Sequence, residues 1–235
     1  MKISHKFFTN YVANVLIILA IILVGTITYS GGVQGVFSSY NTKAIYSGNA
    51  KNNAVSLMFN VYMGNEWLEN ILETLNQKSV KATFFVGGTW VNKNEDCFNK
   101  IVQSGNEIGS HGYWHKDHDK ITDEQQANEI AMTDELVFKI SGIKMHLFAP
   151  PSGAYNSRTV QIAEAYGYKT IMWSLDTIDW RDKDEDIIKQ RANKAKAGDL
   201  ILMHPTECTA NALPTIIDDI LAKNIRIITV SENIL

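Results

Sequence analysis

From Ala54 onward the chain alternates short apolar runs with longer stretches whose apolar residues recur every three or four positions. Ala54 to Phe59, Lys81 to Val86 and Glu107 to Ser110 are short runs that read as strands. Between the first two, Glu66 to Gln77 sets Trp67, Ile71, Leu72 and Leu75 on one helical face. A further helix ends at Asn99 to Ser104, before Gly105. Thr122 and Gln125 have the spacing of a capping box, so a long helix should open there and run to Ser141 and Gly142. The beat continues with strands at His146 to Phe148, Thr170 to Ser174, Leu200 to His204 and Arg226 to Val230. Helices are expected at Arg158 to Tyr166, Asp184 to Lys196 and Leu213 to Lys223. Strand and helix in regular alternation imply an α/β fold with a parallel sheet, either a barrel or an open doubly wound sheet. In a barrel the chemistry sits on the loops that follow each strand.

Ahead of this pattern Lys2, His5 and Lys6 precede an uncharged apolar run from Tyr11 to Tyr29. A bilayer core takes about 20 apolar residues, so the run can span it with its basic end inside. A cleaved signal peptide is the rival reading; small residues follow at Ser30, Gly31 and Gly32, but no Ala-x-Ala pattern does. The expected organisation is an N-terminal anchor or signal segment at 1–30, a Ser-, Asn- and Gly-rich linker at 31–52, and one domain at 53–235. Such a protein would sit in the cell membrane by a single pass, its domain on the extracytoplasmic side.

A hydrophobic share of 45% over 235 residues suits one sizeable core. A net charge of -3 with no basic patch gives no footprint for nucleic acid, and a monomer is expected. In an oxidising compartment Cys97 and Cys208 could bridge or stay free; spacing alone cannot decide.

Candidate chemistry gathers after the strands. His111 and His115 stand four apart in the loop after Ser110, where two imidazoles can converge on one ion, zinc above all. Asn60 follows the first strand, Pro150 and Pro151 the fourth, Asp176 to Trp180 the fifth, and His204 ends the sixth.

Together Leu57 to Asn60, Lys81 to Phe85, Glu107 to His111 with His115, Phe148 to Gly153, Asp176 to Trp180 and Leu202 to His204 resemble the ordered motifs of the polysaccharide deacetylase family. This is the NodB homology domain of carbohydrate esterase family 4, here most similar to its sporulation-type branch. The resemblance implies a distorted (β/α) barrel that hydrolyses the acetamide C–N bond of N-acetylated cell-wall glycan, peptidoglycan or chitin-like, with a divalent metal. It also implies roles. His111 and His115 would be metal ligands, His204 the acid that protonates the leaving amine, and Asp179 the carboxylate that holds His204. Tyr62, Trp114, Pro151, Tyr155 and Trp180 would line the sugar site.

Three positions depart from the family pattern. The base aspartate is Asn60, the metal aspartate is Val61 and the arginine that orients the base is Ala149. A carboxamide has no usable basicity and valine has no lone pair. Asp117 or His118 could supply a third ligand, and His204 could act as base and then acid. Impaired hydrolysis is therefore expected, with weak or absent metal binding; the alternative is a pseudoenzyme that binds glycan or acts as a scaffold.

Overall fold

The computed structural model describes residues 15–19 and 43–235. Residues 15–19 are helical. The rest of the run expected to cross a membrane lies outside the described residues, and among the described residues no helix is long and apolar enough to do so.

Residues 43–235 belong to one compact unit. Its strands are β1 (Ala54–Val61), β2 (Thr83–Val86), β3 (Glu107–Ser110), β4 (Leu147–Phe148), β5 (Lys169–Thr170), β6 (Leu175–Asp176), β7 (Leu200–Met203) and β8 (Arg226–Ile227). All pair in parallel in the order β5-β4-β3-β2-β1-β7-β6, with β8 beside the start of β1. Among the described residues β5 and β6 do not pair, so the expected barrel is a curled sheet that stays open on one side. Because every pairing is parallel, the loops after the strands emerge at one rim.

Every residue of β1 is buried, as a strand covered on both faces must be. Val55, Leu57, Phe59 and Val61 join helix residues such as Ile71, Leu75, Ile216 and Ile217 in the larger core cluster. Met58 packs inward with Phe85, Ala149 and Leu202. The alternation follows from the two-residue period of a strand, and burying each of these aliphatic or aromatic side chains contributes roughly 1.5–3 kcal/mol.

The Thr122–Gln125 capping box and the Gly142 stop are both present on the helix Asp123–Ser141. Elsewhere the boundaries shift. The last long helix runs Glu207–Ala222, with Pro214 inside it rather than near its start. Thr206 caps that helix, and Leu213, Ile216, Ile217 and Ile220 bury enough surface to offset the hydrogen bond that proline forfeits. The strand expected at Thr170 to Ser174 stops at Thr170, and a separate one begins at Leu175. Residues 43–52 are not a tether. Ile45 bridges to Ile171 and Ser47 to Asp199, while Asn49 caps the turn Ala50–Asn52, so the ordered unit starts ahead of Asn53. Cys97 and Cys208 are free thiols.

Candidate active site

The C-terminal rim of the sheet encloses a groove of about 1180 Å³. Asn60, Tyr62, His111, His115, Trp180 and His204 all line it, so residues from four separate strand-end loops meet as expected. Trp114, Pro151 and Tyr155, expected at the sugar site, do not line the groove. Trp114 packs edge-on against Tyr113 beneath Lys116, Pro151 is buried beside Gly112, and the Tyr155 hydroxyl is bonded to that of Tyr46 at 2.6 Å. Met63, Trp67 and Trp173 take their place as apolar lining. Met63 is 72% and Trp180 56% exposed, an apolar pair open to a ligand.

His204 is held firmly. Its Nδ1 donates to Asp179 Oδ1 at 2.8 Å and its backbone N–H to Asp179 Oδ2 at 2.6 Å. The Thr209 hydroxyl donates to the same Oδ2 at 2.5 Å. Asp179 is fully buried, so all three donors are needed to stabilise its charge. The tautomer leaves a lone pair on His204 Nε2.

His111 is fixed in the same way by an acceptor. Its Nδ1 lies 2.7 Å from the Ala149 carbonyl, which can only accept, so Nδ1 carries the hydrogen and Nε2 a lone pair. Burial, with help from neighbouring His115, lowers the His111 pKa to about 3. The two rings meet edge to face at 5.0 Å between centroids, and Tyr62 covers His115 at 4.4 Å. His115 adopts a left-handed backbone, φ 57. Burial lowers its pKa as well.

The loop carrying both histidines rests on a residue that no motif pointed to. Glu129, fully buried on the Asp123–Ser141 helix, accepts the backbone N–H groups of Tyr113 and Trp114 at 2.7 and 2.8 Å. Burial raises its pKa. A carboxylate in the stripe Gln126, Glu129, Ile130, Thr133 and Val137 was the available signal, since a charged residue on a buried face needs a partner.

His118 is no third ligand: it is fully buried with its ring 4.9 Å from that of Phe148. Asp117 is paired with Lys120 at 2.8 Å. Burial lowers the His118 pKa from 6.5 to about 4, only partly offset by Gln126. Between those values the unfolded chain binds the extra proton. The stability owed to the neutral ring is thus complete above pH 6.5 and lost as pH falls towards 4. At pH 5 the loss should be about 2 kcal/mol. Urea titrations at pH 7 and pH 5 should show a smaller difference in His118→Leu than in the native chain; equal differences would contradict this.

A divalent metal is what the sequence resemblance implies for this site. Among the described residues no three His, Cys, Asp or Glu side chains are placed to hold an ion. Val61 belongs to the helix-side core, and Asn60 offers only a neutral carboxamide oxygen. Catalytic zinc normally takes three protein ligands, so two imidazoles do not fit it.

Residues 47–171 match the family model described as polysaccharide deacetylase. The chain belongs to the polysaccharide deacetylase family. It is 38% identical over 195 residues to the uncharacterized protein YlxY of Bacillus subtilis, covering 83% of this chain and 61% of that protein. It is 31% identical over 183 residues to the peptidoglycan-N-acetylglucosamine deacetylase PgdA of Listeria monocytogenes, covering 77% and 39%. The chain thus spans less than two thirds of these curated relatives. Among solved structures it is similar to BA3943, a CE4 family pseudoenzyme from Bacillus anthracis, at 35% identity and TM-score 0.81, covering 83% of this chain and 70% of that one. A mutant of that pseudoenzyme with restored enzymatic activity is similar at 33% identity and the same TM-score, covering 83% and 72%.

Proposed function

We propose that this member of the family holds cell-wall glycan in its groove while hydrolysis of the acetamide C–N bond is impaired or lost. The observation that carries the proposal is Asn60. It stands at the end of β1 where the reaction needs a carboxylate, is 5% exposed, and lines the groove among the three imidazoles. A positioned base contributes about 10² to 10⁴ in rate, and a carboxamide supplies none of it. Ala149, fully buried among apolar neighbours, has no charge with which to orient a base. Trp180, Tyr62 and Met63 remain to stack on sugar rings. The likeness to a pseudoenzyme supports the same reading.

A second reading is favoured by the Asp179–His204 pair, which is intact. His204 Nε2 could take a proton from water and return it to the departing amine, giving slow hydrolysis. In either case the segment at 1–30 would anchor the protein in the membrane, with the domain outside and glycan as its partner.

Cosedimentation with purified peptidoglycan tests the proposal. The full chain is expected to pellet with the glycan, and Trp180→Ala to pellet several-fold less. A chain that stays in solution at all glycan concentrations would contradict it.

A further inference from the structure

Trp180 is 56% exposed, so neighbouring side chains do little to fix its indole. Its position comes from the backbone of the short helix Asp179–Asp182. That helix is bounded by two left-handed residues, Ile178 at φ 55 and Lys183 at φ 47. A positive φ is a genuine outlier for a β-branched residue such as isoleucine. Strain of this kind lasts only where the surroundings over-determine the backbone, and it gathers at ligand clamps.

Those surroundings converge on Arg191, from the helix Glu185–Ala192. Its Nη1 donates to the Thr177 carbonyl at 2.7 Å, just before Ile178, and its Nη2 to Asp182 Oδ2 at 2.5 Å, just before Lys183. One planar guanidinium thus grips the backbone ahead of Trp180 and a side chain behind it. Thr177 is held from its other side, where its Oγ1 donates to the Leu202 carbonyl at 2.8 Å. An exposed ion pair would fix little, but the Arg191 side chain is only 24% exposed. Asp179 has anchors of its own in the Thr209 hydroxyl and the His204 backbone N–H. Loss of Arg191 therefore falls on Trp180 rather than on His204.

We propose that Arg191, which does not line the groove, is a positioning residue for glycan binding: it holds the strained turn that presents the Trp180 indole to a sugar ring. This rests on the glycan-binding reading and names the residue that sets its aromatic platform.

The full chain in mild detergent, labelled with fluorotryptophan, tests the proposal by fluorine NMR and by cosedimentation with purified peptidoglycan. Trp180→Ala identifies the Trp180 resonance. Arg191→Met, which keeps an unbranched stem and removes the fork, is expected to shift or broaden that resonance and to leave that of buried Trp90 in place. It should also reduce pelleting several-fold, as Trp180→Ala does. The double variant should lose no more than either single one, since Arg191 acts through Trp180. If Arg191→Met does not fold, Arg191→Lys carries the same expectations, because an ammonium cannot reproduce the fork. An unmoved Trp180 resonance, undiminished pelleting, or losses that add in the double variant would overturn the inference while leaving glycan binding in place. A native chain that never pellets with glycan would overturn both the inference and the reading beneath it.

Discussion

The triple variant Asn60→Asp, Val61→Asp, Ala149→Arg, supplied with zinc, is expected to release acetate from N-acetylglucosamine oligomers at least about 10²-fold faster than the native chain. That is the lower end of what a positioned base contributes. The other groove residues are in place: the two imidazoles meet edge to face and His204 is braced by Asp179. The changes carry a cost. Val61 is fully buried in the helix-side core, and a carboxylate there without a partner should lose about 3–5 kcal/mol. Arginine in place of the fully buried Ala149 should lose about 1–3 kcal/mol more through overpacking. Zinc should therefore raise the melting temperature of the variant more than that of the native chain, since a ligand that binds only the folded state stabilises it. No acetate from a folded, zinc-stabilised variant would show that the groove lacks more than these three side chains.

A large loss of stability is expected from the single substitution Gly64→Ala. Gly64 has φ 88, and a Cβ there would stand 2.3 Å from the Pro205 carbonyl oxygen. Left-handed strain alone costs about 1–2 kcal/mol for a residue with a Cβ. Gly142, with φ 70 and nothing within 4 Å of its Cβ, isolates that part. Gly142→Ala should lose about 1–2 kcal/mol by urea unfolding, and Gly64→Ala clearly more, because Pro205 and neighbouring His204 must also move. Glycan binding should fall in Gly64→Ala and hold in Gly142→Ala. Equal losses in the two variants would mean that the Tyr62–Gly64 turn yields without disturbing His204.

The meeting of Asn60, His111, His115, Asp179 and His204 was legible in the sequence because parallel strands put every following loop at one end. Side-chain direction was not. Trp114 sits between the two histidines in sequence, yet Glu129 ties down the local backbone and its indole rests on Tyr113, outside the groove. Glu129 comes from a helix, and nothing in the loop's own sequence announces that support. Ile171 looked like the middle of a strand because its apolar character is real; its partner is Ile45, from a stretch whose Ser, Asn and Gly content reads as linker. Pro214 suggested a helix beginning beside it, whereas tertiary burial carries the helix through the proline from Glu207.

Acetate release by the native full chain, with zinc supplied and N-acetylated glycan in excess, tests most directly the claim that this groove holds sugar without the means to cut it. The account expects release no faster than that of His204→Ala, or at most a trace that His204→Ala removes. Turnover within tenfold of an intact deacetylase of the family would contradict it.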